Sequence, residues 1–164
     1  MPHKPMPTRA KYRPVPPPRD EVIYDKSFKS TFRWVRRAIH ETMDGLEAAN
    51  LQPDLLGSIE IALAEALNNV VEHAYPEHSP GTIRLKLQVK RAAILVEIRD
   101  RGSAMPYGQL PKGQPVRSGL RSNQVSEGGY GWYIIRELVQ DLIYDRQDGE
   151  NVLIFRLSLD PRLQ

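Results

Sequence analysis

A carboxylate interrupts the apolar face of a predicted strand in the stretch VEIRDRG, residues 96–102. Counting in twos from Ile98 places Asp100 on the inward face of that strand, where an unpaired carboxylate is costly. Asp100 therefore needs a hydrogen-bond donor, and the amino group of a purine would supply one worth about 1.5–3 kcal/mol. Gly102 follows, and a glycine there would let the backbone approach a flat ring closely. A strand-end aspartate that caps a turn explains an isolated D-x-G equally well.

A second stretch, EGGYGWYII at residues 127–135, carries three glycines immediately before an apolar helix. Free backbone N–H groups and the positive end of a helix can receive phosphate oxygens at Gly128, Gly129 and Gly131. The stretch is not a Walker A loop, because no Gly-Lys-Ser/Thr follows, and no parallel βαβ unit surrounds it as a dinucleotide fold requires. Glycines also form plain turns, so this stretch alone indicates little.

A polar stripe crosses the apolar stretch EIALAEALNNVVEHAYPE, residues 60–77. At about 100° per residue, Glu65, Asn68, Asn69 and Glu72 fall within one narrow arc of a helix. Asparagine is a mediocre helix former, because its side chain competes for nearby backbone groups. Taken alone, the stripe fits a solvated helix face. Its conjunction with the two stretches above is what favours a functional site.

Three helices that would carry these residues are predicted by apolar side chains at helical spacing. The first covers STFRWVRRAIHETMDGLEAANL, residues 30–51. The second runs from about Pro53 to Ala74 and stops before Pro76. The third covers GYGWYIIRELVQDL, residues 129–142. The second helix therefore carries the polar stripe, and the third begins at the glycines.

Two hairpins are predicted by alternating apolar residues. TIRLKLQVK and AAILVEIRD meet at Lys90-Arg91, and LIYDRQDGENVLIFRLSLD turns at Asp148-Gly149. Helices packed on one face of such a sheet make an α+β two-layer sandwich. We expect about three helices on a mainly antiparallel mixed β-sheet of four or more strands.

The composition indicates one soluble domain, residues 21–164, behind a leader of different character. The chain has 164 residues, 40% of them hydrophobic and 26% charged, with a net charge of +3. Seven of the first 19 residues are proline, so residues 1–20 are expected to form a disordered basic leader, better explained as solvated than as a nucleic-acid site. The absence of cysteine, of a signal segment and of a membrane-length apolar run fits a cytoplasmic protein.

Residues 103 to about 127 are poor in apolar side chains and rich in glycine, proline and serine. A structureless stretch of this length inside a compact domain is typically a functional loop or a lid. It carries Lys112, Arg117 and Arg121 with no acidic residue before Glu127. These cations could screen a phosphate or recognise an acidic partner, although a merely soluble loop is the simpler explanation.

In this order, the three stretches resemble the GHKL ATPase superfamily of gyrases, heat-shock chaperones, histidine kinases and mismatch-repair ATPases. EALNNVVEHAY is similar to its N box, DRGSAMP to its first glycine box and GGYGWYII to its second, over roughly residues 25–160. The small size and EALNNVVEHAYPE resemble one branch, the anti-sigma-factor serine/threonine kinases that partner STAS-domain antagonists. The resemblance implies a Bergerat-type ATPase fold that uses ATP and Mg²⁺.

The resemblance also implies roles along the polar stripe. Asn69 would coordinate the Mg²⁺ that bridges the ATP phosphates. Glu65, one turn earlier, would be the general base that takes the proton from a substrate hydroxyl. His73 lies nearby, and it would either contact the nucleotide or support the helix through its ring hydrogen bonds.

At the two glycine boxes the resemblance implies contacts with the base and the phosphates. Asp100 would accept a hydrogen bond from adenine N6, with Gly102 packed beside the ring. Gly129 and Gly131 would seat the phosphates and hinge the lid. Ala104 stands where the first box usually has its second glycine, and related small anti-sigma kinases often lack that glycine too.

The leading hypothesis is an ATP- and Mg-dependent kinase that phosphorylates a STAS-domain anti-anti-sigma protein and binds a sigma factor or similar regulator. Both partners would come in trans, and the branch implies a homodimer. The alternative is a non-catalytic nucleotide-binding module of the same fold, against which Glu65 argues because a pure binder needs no base. The catalytic half of a histidine kinase would need a phospho-acceptor, for which His40 is the only candidate. No direct contact with a membrane or with nucleic acid is expected.

Overall fold

The computed structural model describes residues 20–49, 51–75, 79–115 and 129–160. Residues 1–19 of the predicted leader, residues 1–20, lie outside them. A turn of π-helix continues the second helix, and a single 3-10 turn follows the third strand. The elements in chain order are β1 Glu21–Lys29, α1 Phe32–Ala48, α2 Pro53–Asn69, the π-helical turn Val70–Ala74, β2 Thr82–Val89, β3 Ala93–Asp100, the 3-10 turn Pro106–Gly108, α3 Gly129–Leu138, β4 Gln140–Gln147 and β5 Glu150–Ser158.

The five strands form one sheet in the order β1-β2-β3-β5-β4. All four neighbouring pairs are antiparallel. The sequence predicted a mainly antiparallel mixed sheet, and within the described ranges every pair is antiparallel. Two hairpins, β2–β3 and β4–β5, account for two of these pairs and occur where alternation predicted them. In the β3–β5 pair, Asp100 lies directly opposite Asn151.

The buried core lies between one face of the sheet and the apolar sides of the three helices, which confirms the α+β two-layer sandwich. Alternation along β2 and β3 directs every second side chain into this core. The opposite face of the sheet carries charged residues such as Arg84 and Glu97. The largest fully buried side chains are Phe155, Leu46, Ile59, Leu63, Leu67, Ile83, Leu85, Leu87, Ile94, Ile98, Ile135 and Leu157.

Strand β1 was missed by sequence reasoning. Its inward face bears Tyr24 and Phe28, both buried, but Lys26 lies between them on the same face. The Lys26 ammonium reaches Glu41 on α1 at 2.9 Å, so the charge is held at the rim of the core. A polar residue at an inward position, together with a register shift between Val22 and Tyr24, removes the alternation that marks a strand.

The third helix ends earlier than predicted. It stops at Leu138 rather than near residue 142, and β4 begins at Gln140. Asp141 has a φ of +51°, and the β4–β5 register shifts between Gln140 and Ile143. Leu142 continued the helical spacing of the preceding apolar residues, so the sequence pattern ran on into the strand.

None of the helices in the described ranges is long and apolar enough to cross a membrane.

Candidate functional site

A cavity of about 410 Å³ opens between α2 with its π-helical turn, the segment after β3, and the first turns of α3. Three of the residues singled out from the sequence, Asn69, His73 and Asp100, line it. The remaining lining residues are Ala66, Val70, Ala74, Ser103, Ala104, Met105, Pro106, Pro111, Trp132, Tyr144, Asn151 and Leu153. The cavity therefore brings together Asn69 of the polar stripe and the carboxylate at the end of β3, whereas Glu65 is not among its lining residues.

The polar stripe divides between two sides of α2. Asn69 lines the cavity, whereas Asn68 lines a groove between α1 and α2. This follows from the helix geometry, because successive residues are turned by about 100°. The α-helix changes to a π-helical turn directly after Asn69, and such turns are frequent at functional sites. His73, within that turn, has its Nε2 3.7 Å from a carboxylate oxygen of Glu72.

Gly131 brings the first turn of α3 against the polar stripe. A Cβ added at Gly131 would lie 2.5 Å from Glu65 Oε2 and 3.7 Å from Asn69 Nδ2. Burial raises the pKa of the Glu65 carboxyl above its ordinary value, and the neighbouring Glu72 raises it further. Glu65 is therefore a carboxylate with an increased affinity for a proton, held beside an amide and a helix N-terminus.

The Asn69 amide carries an unmet hydrogen bond. Its Nδ2 is buried and has no partner among the residues that the structure describes. A buried polar atom without a partner costs about 1–3 kcal/mol, and such atoms concentrate at functional sites. Asn69 is thus a side chain with a spare hydrogen-bond donor at the cavity wall.

Asp100 is buried, at 6% exposure, on the inward face as predicted. Part of its expected need for a donor is met within the chain, since Oδ1 accepts from Gly102 N at 2.8 Å and from Asn151 Nδ2 at 2.9 Å. Burial raises the pKa of Asp100, while these two hydrogen bonds and the charge of Arg146 lower it. Oδ2 receives no hydrogen bond from the described part of the chain, so one acceptor remains at the cavity.

Gly102 makes a close approach within the chain. A Cβ at Gly102 would overlap the carbonyl oxygen of Ala74, and Ser103 N donates to that same oxygen at 2.6 Å. The end of the π-helical turn therefore already requires a glycine at this position. Tyr75 reinforces this junction, because its hydroxyl accepts from Arg101 N at 2.9 Å.

The first half of the predicted lid lies against α3. Gln114 N donates to Gly129 O at 3.0 Å, and the Arg136 guanidinium donates twice to Pro111 O, at 3.1 and 2.9 Å. Gly113 has a φ of +75°, and a Cβ there would overlap the backbone of Tyr133. Residues 116–128 lie outside the described residues, and with them Arg117, Arg121 and Gly128.

Sequence reasoning missed two polar residues of the cavity, Asn151 and Tyr144. The rule that placed Asp100 inward also applies to β5, where counting in twos from Phe155 and Leu153 reaches Asn151. Tyr144 gave no comparable signal, because edge strand β4 shows weak alternation of burial. The Tyr144 hydroxyl donates to Asn151 Oδ1 at 2.7 Å, which joins the two missed residues to Asp100.

Two protein kinases resemble this chain in sequence. The serine/threonine-protein kinase BtrW of Bordetella bronchiseptica is 32% identical over 96 residues, which are 58% of this chain and 66% of that protein. The serine-protein kinase RsbW of Bacillus subtilis is 28% identical over 100 residues, which are 60% of this chain and 62% of that protein. The chain thus matches somewhat less than two thirds of the length of either relative.

A crystal structure of the RsbU and RsbW domains of a Mycobacterium tuberculosis protein shares the fold. Its TM-score is 0.53 at 16% identity, and the match covers 82% of this chain and 33% of that one. The family model described as the histidine kinase-like ATPase domain matches residues 28–157, which include every strand and helix of the cavity. The chain therefore belongs to the histidine kinase-like ATPase domain family.

Proposed function

We propose that this chain is an ATP-dependent serine/threonine protein kinase that also acts as an anti-sigma-type regulator. The observation that carries the proposal is the cluster at Gly131, where a carboxylate of raised pKa, Glu65, lies beside Asn69 at the N-terminus of α3. The names of the two kinases that resemble this chain support the same reaction. A pure binding module of the same fold would have no need of a proton acceptor at this position.

The cavity fits ATP when the base lies toward Asp100 and the phosphates lie toward α3. Asp100 offers an acceptor to adenine N6, and the first N–H groups of α3, from Gly129 onward, have no acceptor within the helix and would receive phosphate oxygens. Gly131 leaves room there because it has no side chain. The Gly102 backbone would border the ring, and His73 on the opposite wall can contact the nucleotide. Residues 103–127 would act as the lid over it.

Mg²⁺ fits the same end of the cavity. Mg²⁺ is commonly held by one or two protein oxygens together with phosphates and waters, rather than by a full protein cage. The described residues contain no cluster of three acidic or histidine side chains, and Asn69 at the cavity wall supplies an amide oxygen, a hard ligand of the kind that Mg²⁺ binds. Asn69 would hold the ion, which would neutralise phosphate charge during transfer.

Glu65 would act on the substrate hydroxyl. Its carboxylate accepts the hydroxyl proton as the serine or threonine oxygen bonds to the γ-phosphorus. The bond from that phosphorus to the β–γ bridging oxygen breaks, and ADP leaves with the electron pair. Burial of Glu65 favours this role, because a raised pKa brings the proton affinity of the base closer to neutral pH.

The partners follow from the kind of regulator proposed. The phosphorylated protein would be a STAS-domain anti-anti-sigma protein, and the kinase in its unoccupied state would sequester a sigma factor or similar regulator. We propose a cytoplasmic homodimer for the active species, with no direct contact to nucleic acid or membrane.

The test is phosphotransfer from labelled ATP to a panel of STAS-domain proteins, measured beside calorimetric ATP binding. Glu65→Gln should abolish transfer, a loss of about 10²–10⁴-fold, and keep ATP binding, because only the proton acceptor is removed. Glu60→Gln makes the same change on an exposed position of α2 and should keep both. Transfer that survives Glu65→Gln rules out Glu65 as the base. ATP binding with no transfer by the wild type to any STAS protein would favour the non-catalytic module.

A further inference from the structure

Three strands join in one polar network at the inner end of the cavity. Asp100 on β3 and Asn151 on β5 face each other in register, and they are 6% and 5% exposed. Tyr144 and Arg146 reach the pair from β4. Arg146 lies opposite Asn151 in the β4–β5 register, so the contacts follow from the pairing of the strands. Buried polar groups of this kind are retained where every member has a partner.

The network fixes the orientation of the Asn151 amide. Oδ1 accepts from the Tyr144 hydroxyl at 2.7 Å and from the Arg146 guanidinium. Nδ2 donates to Asp100 Oδ1 at 2.9 Å and to Ser103 O at 3.0 Å. Turning the amide over would set its NH₂ against the arginine donor and its oxygen against two acceptors. Only one orientation satisfies all four contacts.

The fixed amide in turn fixes the Asp100 carboxylate. Oδ1 is occupied by Asn151 Nδ2 and by Gly102 N, which prevents rotation of the carboxylate and leaves Oδ2 as the acceptor at the cavity. The same residues hold the cavity wall that follows β3. Arg146 donates to Gly102 O at 3.0 Å, and Met105 N donates to the Tyr144 hydroxyl at 3.1 Å.

We propose that Asn151, held by Tyr144 and Arg146, is a positioning residue that directs one Asp100 oxygen into the cavity and makes the cavity selective for a base with an exocyclic amino group. The inference rests on the nucleotide use proposed above and names the residues that set its selectivity. A carboxylate oxygen pairs with an amino donor. A purine with a carbonyl at the same position would set its carbonyl oxygen against the Asp100 carboxylate oxygen. Both atoms are acceptors, so such a base is rejected.

The network also opposes protonation of Asp100, although burial outweighs it and the pKa of Asp100 lies above its ordinary value. Burial raises the pKa of Asp100, and the Asn151 hydrogen bond is the largest influence that lowers it, followed by Gly102 N and the charge of Arg146. Glu150 on β5 acts in the opposite direction. The other ionisable groups around the cavity end are Tyr144 on β4, Tyr75 after the π-helical turn and His73 on the wall. Loss of Asn151 should therefore move the acid limb of nucleotide binding to higher pH.

The experiment compares calorimetric binding of ATP and of inosine triphosphate, which carries a carbonyl in place of the amino group. The full-length wild type should prefer ATP by about tenfold or more, as a hydrogen bond to a charged acceptor implies. In Asn151→Ser the ratio of the ATP affinity to the inosine triphosphate affinity should fall toward one. The pH at which ATP binding falls to half on the acid side should rise. Tyr144→Phe should reduce the ratio less. Asn68→Ser makes the same chemical change as Asn151→Ser outside the cavity, and it should keep the wild-type ratio.

A double variant separates positioning from stability. Asp100→Asn combined with Asn151→Asp keeps one amide and one carboxylate facing each other, beside the same tyrosine and arginine donors. It should fold, with a lower unfolding temperature than the wild type because a carboxylate at position 151 cannot donate to Ser103 O, yet it should not prefer ATP, because the carboxylate now lies on β5. Full ATP preference in this variant would overturn the inference.

The remaining outcomes separate the inference from the proposed function. A wild type that binds neither triphosphate overturns both. A wild type that prefers ATP, with an unchanged ratio and pH profile in a folded Asn151→Ser, overturns the positioning role and leaves ATP use standing. If Asn151→Ser does not fold, an unchanged ratio of ATP to inosine triphosphate affinity in Tyr144→Phe overturns the positioning role instead.

Discussion

The two ends of the cavity are built in opposite ways. At the β3–β5 end, Asp100 and Asn151 share hydrogen bonds with each other and with Tyr144 and Arg146, and both polar atoms of the amide are satisfied. At the α3 end, Asn69 Nδ2 is buried without a partner among the described residues. A satisfied network stabilises the empty protein and fixes the direction of an acceptor. An unsatisfied amide costs stability, and the fold retains it where a ligand completes it.

Substituting Gly131 should have the largest effect on phosphotransfer, and it should disturb only the α3 end of the cavity. In Gly131→Ala the new Cβ would lie 2.5 Å from Glu65 Oε2, so the flexible glutamate must move while the backbone stays in place. Displacing the base by about 1 Å is expected to lower phosphotransfer about 100-fold with the protein still folded. Steady-state transfer rates and circular dichroism measure the two quantities.

Gly57→Ala is the matched control on α2. Nothing lies within 4 Å of a Cβ at Gly57, so alanine should stabilise the helix by about 0.5–1 kcal/mol and leave transfer unchanged. Wild-type transfer by Gly131→Ala would show that the contact with Glu65 has no part in the reaction.

Leucine at the two cavity asparagines should shift stability in opposite directions. Asn151→Leu removes one of the two donors of the buried Asp100 carboxylate and takes from Tyr144 and Arg146 the amide oxygen that accepts from both, so we expect a loss of about 2–4 kcal/mol in unfolding free energy. Asn69→Leu removes an unpaired amide and improves helix propensity, which should gain about 0.5–1 kcal/mol. Urea denaturation of the nucleotide-free protein measures both. Destabilisation by both substitutions would contradict the contrast between the two ends.

The smallest expected effect is a pH dependence at the α3 end. The folded-state pKa of Glu65 lies above the ordinary value of 4.5, so the folded protein binds more protons than the unfolded chain between the two values. Its unfolding free energy therefore receives an unfavourable contribution that appears as pH rises through this window. Glu65→Gln removes that contribution and should be more stable than the wild type at pH 8, with the advantage lost at pH 4. Denaturation at both pH values, with Glu60→Gln as the control, measures it.

The sequence predicted the parts of this site that depend on periodicity. Alternation along β3 was enough to place Asp100 inward, and the helical spacing of α2 placed Glu65 and Asn69 on one side. The glycines before α3 marked where that helix begins. These predictions succeed because each depends on the geometry of a single strand or helix.

Features that depend on contacts between elements could not be predicted. The spacing on α2 did not separate Asn69, which faces the cavity, from Asn68, which faces the groove beside α1. Asp100 and Asn151 are 51 positions apart in the chain, and their pairing depends on the register between β3 and β5. Gly102 was correctly marked as a close approach, but its partner, Ala74, is set by how the π-helical turn meets β3. Strand β1 was not predicted because Lys26 occupies an inward position on this edge strand of the sheet.

Trp132 gives the cavity an optical signal of its own. The chain has two tryptophans, and their surroundings differ: Trp132 is 4% exposed in the cavity wall, whereas Trp34 is 38% exposed on α1 beneath the Arg37 guanidinium. Indole emission responds to the polarity and contacts of the ring. In a protein with Trp34→Phe, the remaining fluorescence would come from the cavity wall, so occupancy of the cavity could be followed in real time without a label.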